Sequence, residues 1–178
     1  VKMKNNIYTS DTLETALEYG VDNFLNKGCN CCESVYEALL RAGTVPDGSV
    51  PYETCKMCAG FGGGVGLSGN NCGALSGAIM AVGAKNGRKD PRNDKPLGLY
   101  EKEDHRDNIM VDEFKKKMGA VFCSEIAKDY RGDWNNPDRR QNCVRAVKAA
   151  IEIACEYMNS PGDEITEMPW GYNVHEGK

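Results

Sequence analysis

A chain of 178 residues, 40% hydrophobic and 27% charged, is long enough for one domain with a buried core. Its net charge of −4 gives no basic footprint for nucleic acid, and no apolar run approaches the roughly 20 residues that cross a bilayer. Nine cysteines stand out, at positions 29, 31, 32, 55, 58, 72, 123, 143 and 155.

Strand signals are nearly absent and helical periodicity recurs, so the expected fold is all-α: a single-domain helical bundle over residues 1–178, with 160–178 as a C-terminal tail. Asp11 and Glu14 have capping-box spacing, and Leu13, Ala16, Leu17, Gly20, Val21 and Phe24 trace one face to about Asn26. Lys27-Gly28 stops that helix. A second starts near Cys31, carries Cys31, Val35, Ala38, Leu39 and Ala42 inward, and ends at Gly43. Tyr52 to Ala59 reads as a short helix feeding a glycine-rich loop, in which Gly60, Gly62, Gly63, Gly64, Gly66 and Gly69 allow positive φ and close backbone approach. Asn70 and Asn71 are candidate caps for the next helix, with Cys72 in its first turn and Leu75, Ile79 and Val82 on the same face. That helix ends near Asn86-Gly87.

Arg88 to Gly98, with two prolines, reads as an exposed linker. Asp104 to Met118 is helical, with Ile109, Met110, Phe114 and Met118 as its apolar side and a solvated start over Glu101 to Asp107. Cys123, Ile126, Ala127 and Tyr130 mark a short helix. Asn136 caps a long one with Pro137 at its first position, where the missing N–H costs nothing. Cys143, Val147, Ala150, Ile151, Ala154 and Met158 form its stripe, and Cys155 is a core residue. The tail from Ser160 to Lys178 is expected to lie over the surface or a partner, and His105 and His175 are expected to be exposed.

Cys31, Cys72, Cys123 and Cys143 share a description: each sits near a predicted helix start and on its apolar face. Positive charge at a helix N-terminus favours thiolate over thiol. Four thiolates is the ligand count of a [2Fe–2S] or [4Fe–4S] cluster, or of a tetrahedral zinc. Residues 1–6 are polar and lack a signal peptide's apolar stretch, so the expected setting is reduced and cytoplasmic, where such cysteines bind metal or do redox work.

The residues Cys72-Gly73-Ala74-Leu75-Ser76-Gly77 spell Cys-Gly-Ala-x-x-Gly. They follow Gly28-Cys29-Asn30-Cys31 and the glycine run Gly60-Phe61-Gly62-Gly63-Gly64, and precede Phe122-Cys123 and Asn142-Cys143. This order resembles the bacterial family C_GCAxxG_C_C, whose members are described as redox-active. The resemblance covers most of Gly28 to Ala154. It implies a mostly helical fold and a redox or Fe–S role, with Cys31, Cys72, Cys123 and Cys143 as the family's cysteines. Cys29 and Cys32 beside Cys31, and the Cys55-Lys56-Met57-Cys58 CxxC, are additions to that pattern.

The favoured reading is electron transfer or redox sensing through an Fe–S cluster on Cys31, Cys72, Cys123 and Cys143. A redox partner protein is expected, nucleic acid and membrane are not, and homodimerisation stays open. Three alternatives remain: a metal-free thiol–disulfide oxidoreductase using paired cysteines, a structural zinc module, and a helical protein with inert buried thiols. Gly64-Val65-Gly66-Leu67-Ser68-Gly69 fits GxGxxG, but no strand precedes it, so backbone packing is the expected role.

Overall fold

Helix-starting chemistry explains where the elements begin. The computed structural model describes residues 10–92 and 104–174. Helix α1 spans Ser10–Asn26 and α2 spans Cys31–Arg41. Asn30 caps α2 by accepting from the N–H groups of Cys32 and Glu33, and the Glu33 carboxylate accepts from the Asn30 N–H at 2.8 Å. This is a complete capping box. A 3₁₀ helix covers Tyr52–Phe61, and α3 follows at Gly73–Asn86. Then come α4 (Asp104–Met118), the single-turn α5 (Cys123–Ile126), a 3₁₀ turn at Lys128–Tyr130, and α6 (Pro137–Met158). Asn136 caps α6 through the Asp138 N–H, with Pro137 at the first position as expected. A last short helix, α7, spans Gly162–Glu167.

The architecture is all-α, with no strand among the described residues. The only β-type pairing there is an isolated antiparallel bridge between Asn71 and Phe122. Helix α6 is the spine. Val147, Ala150, Ile151 and Ala154 are buried in it, and α1, α2, α3, α4 all pack on it. Leu39, Leu75, Phe114 and Ile151 are wholly buried; such side chains contribute about 1.5–3 kcal/mol each. Helix α3 is buried on most sides because it is built from small residues. A Cβ on Gly77 would stand 2.6 Å from the Cys32 carbonyl oxygen, so only glycine lets α2 and α3 approach this closely. Glu37 is buried too, and its carboxylate accepts from Asn23 Nδ2 at 2.6 Å and from the Tyr52 hydroxyl at 3.0 Å. That network ties α1, α2 and the 3₁₀ helix together.

Several expectations change. His105 and Arg106 are buried, not solvated, because the chain after α7 covers α4. The Trp170 ring stacks on His105 with centroids 4.0 Å apart. Arg106 reaches the carbonyls of Tyr157 and Ser160 at the end of α6. Ser160 onward is therefore part of the fold over its described length: α7 is helical and Ile165 is buried. Within the expected linker, residues 93–98 lie outside the described residues, as do 101–103 and His175. No helix among the described residues is long and apolar enough to cross a membrane.

Candidate functional site

The loop between the 3₁₀ helix and α3 sets the geometry of the site. Gly63, Gly64, Val65, Gly66 and Leu67 all have positive φ, between 59° and 72°. They make one left-handed turn, closed by the Gly66 N–H on the Gly60 carbonyl at 2.8 Å and the Leu67 N–H on the Gly62 carbonyl at 3.0 Å. Glycine takes this conformation freely; the β-branched Val65 does not. The turn delivers backbone to the cysteines. A Cβ on Gly64 would lie 2.8 Å from Cys123 Cβ, and one on Gly73 would lie 2.5 Å from Cys31 Sγ.

Backbone links then gather four distant segments. The Cys72 N–H donates to the Val121 carbonyl at 2.8 Å, the Cys123 N–H to Asn70 at 2.8 Å and the Ser124 N–H to Gly69 at 2.9 Å. These bonds bring Cys72 and Cys123 together around the Asn71–Phe122 bridge. Asn142 Nδ2 donates to the Ile126 carbonyl at 2.8 Å, which fixes α6 against α5 and sets Cys143 beside Cys123. Asn30 Nδ2 donates to the carbonyls of Cys58 and Ala59 at 3.3 and 3.2 Å, holding the start of α2 to the end of the 3₁₀ helix. Cys31, Cys123 and Cys143 line one cavity of about 370 Å³, together with Phe24, Leu67 and Trp134. Cys72 is buried beside Cys31, close enough for the Cys31 charge to act on it.

The helix-terminus expectation needs correction in two respects. Cys143 is two turns inside α6, and Cys72 is the N-cap residue of α3 rather than part of its first turn, with Asn71 taken up by the bridge. Nor are the thiols activated. Burial pushes Cys72 up to about 12 and Cys143 up to about 11, and raises Cys31 and Cys123. Desolvation outweighs the helix ends. Opposing it, the N–H groups of Gly63, Cys31, Cys32 and Ala74 favour the Cys31 thiolate, and those of Ala74 and Leu75 favour that of Cys72.

Sequence reasoning missed Arg139. It is buried, its guanidinium lies 3.8 Å over the Trp134 ring, and its Nη1 stands 3.6 Å from Cys143 Sγ, where it pulls the thiol's pKa down. The i,i+4 spacing of Arg139 and Cys143 on one helix was the available signal. Cys32, left without a role by the sequence, is the residue of the Cys31–Cys32 pair that enters the core, at 0% exposure, while Cys31 faces the cavity. The neighbouring Cys58, together with burial, raises the Cys32 thiol, and Cys32 in turn lowers Cys58.

A family model described as "Putative redox-active protein (C_GCAxxG_C_C)" matches residues 29–157. The chain belongs to the C_GCAxxG_C_C family. The C_GCAxxG_C_C match encloses Cys31, Cys72, Cys123 and Cys143 and the glycine loop, and the family's description is one of redox activity. An uncharacterised protein of Archaeoglobus fulgidus is 29% identical over 134 residues, covering 72% of this chain and 84% of that protein. No solved structure matches.

Among the described residues, no group of three or more His, Cys, Asp or Glu side chains is arranged to hold a single metal ion. Such an arrangement is what a tetrahedral zinc site requires. What the site does offer is soft sulfur donors beside a cavity, with backbone N–H groups near the sulfurs of Cys31 and Cys72.

Proposed function

We propose that this protein transfers electrons, or senses redox state, through an Fe–S cluster held by Cys31, Cys72, Cys123 and Cys143. One observation carries the reading: four segments remote in sequence deliver these four thiols to one neighbourhood, beside a cavity with a glycine-lined wall. When bound, a cluster supplies one-electron chemistry at a potential set by its surroundings. The chain's own residues account for those surroundings. Gly63, Cys32, Ala74 and Leu75 present N–H groups to sulfur, which stabilises negative charge there. Arg139 places a positive charge beside Cys143. Trp134 and Leu67 are apolar residues of the cavity lining. The high thiol pKa values mean that loading releases protons, so assembly is favoured by rising pH over the range where the fold survives.

Single Cys→Ser substitutions under anaerobic conditions test the assignment. Cys31→Ser, Cys72→Ser, Cys123→Ser and Cys143→Ser each lose bound iron and redox activity, because a hydroxyl at neutral pH supplies neither the charge nor the bond of a thiolate. Cys155→Ser keeps both and loses about 1–3 kcal/mol of stability, the cost of a poorly paired hydroxyl in the core. Full activity in the Cys72→Ser protein refutes the reading.

A further inference from the structure

A second group of thiols, Cys32, Cys55 and Cys58, lies outside the cavity lining. Cys32 and Cys58 are both 0% exposed. The Asn30 side chain accepts from the Cys32 N–H at 2.9 Å and donates to the Cys58 carbonyl at 3.3 Å, which makes the two residues neighbours, and Cys32 Sγ donates to Met80 Sδ at 3.9 Å. The Asn30 bonds to the Cys58 and Ala59 carbonyls hold the two backbones in register. Cys55 and Cys58 are three residues apart on a 3₁₀ helix, where side chains at i and i+3 eclipse. Cys55 is the partly exposed one of the three. The set is thus graded inward: a partly exposed thiol, a buried one three residues along the same helix, and a third buried on the neighbouring helix.

We propose that Cys55, Cys58 and Cys32 form a separate two-electron dithiol centre that reduces disulfides, with Cys55 as the entry thiol and a Cys32–Cys58 disulfide as the oxidised state. The Cys55 thiolate attacks one sulfur of the substrate disulfide, and the first substrate thiol leaves with the proton that Cys55 gave up. Cys58 attacks Cys55 Sγ, forming Cys55–Cys58 and releasing the second substrate thiol, which takes the Cys58 proton. Cys32 then attacks Cys58 Sγ, and Cys55 leaves as a thiol carrying the Cys32 proton. One disulfide becomes two thiols, and two protein thiols become one disulfide. The centre adjoins the proposed cluster site through the Cys31–Cys32 and Cys58–Ala59 peptides and Asn30, and it does not rest on that reading.

The full-length chain is incubated anaerobically with oxidised glutathione, or with insulin as a protein disulfide, and mapped under non-reducing conditions. The Cys31→Ser protein is mapped in parallel so that a bond to Cys32 is assigned unambiguously. The expected result is a Cys32–Cys58 cross-link in both proteins, with glutathione or insulin thiols released at two per cross-link. Turnover of glutathione alone identifies a small-molecule substrate, and of insulin alone a protein one. Cys55→Ser is expected to slow the reaction at least tenfold and, being at a partly exposed site, to keep the fold. The Cys72→Ser protein is expected to form the cross-link even where it has lost iron, which separates this centre from the cluster. No 32–58 cross-link with either disulfide, or parental rates in Cys55→Ser, overturns the proposal.

Discussion

Gly73 shows how narrow the tolerance is at single residues. A methyl group there would meet Cys31 Sγ at 2.5 Å and the Phe61 carbonyl oxygen at 2.7 Å. Both the thiol and the backbone at Phe61 must shift to admit it. Gly73→Ala is expected to lower stability by about 1–3 kcal/mol, as overpacking does, and to lower iron content more than thermal stability predicts. Iron per chain measured beside the melting curve checks this. Arg139 acts in the opposite direction, by charge. Removing its guanidinium in Arg139→Met is expected to push Cys143 above its value of about 11 and to slow its alkylation at pH 10 several-fold. An unchanged alkylation rate would mean that the 3.6 Å contact carries no electrostatic weight. The extra cysteines also resolve at this scale. Cys29 is partly exposed and raised by burial and by Glu33, whereas Cys32 and Cys58 are wholly buried.

Among the elements, the left-handed turn departs most from ordinary geometry. Val65 has φ 62° and Leu67 φ 63°, and both side chains are exposed, at 46% and 70%. Little packing therefore offsets the backbone cost. Val65→Gly is expected to raise stability by about 1 kcal/mol, seen as a melting temperature higher by about 2–4 °C. A fall instead would show that the Val65 side chain makes a contact worth more than the strain. The helices themselves were largely legible. Asn136-Pro137, the stripe from Cys143 to Met158, and the span Asp104 to Met118 each state a cap, a period or a length that local physics enforces. The Asn30–Glu33 capping box could have been read in the same way. What local physics could not state was the role of Asn70 and Asn71. They are good caps by type, but long-range pairing with Val121 to Cys123 takes their backbone first, and Cys72 becomes the cap.

For the molecule as a whole, the misread residues share one cause. Burial is a tertiary property. Polar neighbours suggested an exposed His105, yet the chain after α7 folds back and stacks Trp170 on it. A helix N-terminus suggested an activated thiol at Cys72, yet the surrounding core desolvates it and keeps it protonated. The family order of cysteines was legible because motif spacing is a property of the sequence. Their approach to one cavity was not, because it depends on the bonds among residues 69–72, 121–124 and 142. The buried thiols also set the alkaline limit. Cys72 and Cys155 are raised from an ordinary 9.0 to about 12 by burial. Between those values the folded state holds protons that the unfolded state has lost. Their contribution is complete below pH 9 and falls as pH rises toward 12, by about 1.4 kcal/mol per pH unit for each thiol. Metal-free protein is therefore expected to melt at progressively lower temperature from pH 8 to 10.5. Cys155→Ala is expected to show a shallower decline, and a slope equal to the parent's would remove Cys155 from the account.

The central claim is that four cysteines hold an Fe–S cluster, and its most direct test is the metal itself. Protein purified without oxygen is assayed for iron and acid-labile sulfide per chain, with its visible absorbance, in the parent and in Cys72→Ser. Iron and sulfide are expected together, with a visible absorbance that bleaches on reduction, and all three are expected to be lost in Cys72→Ser. Colourless parent protein without iron and sulfide, after anaerobic supply of both, would contradict it.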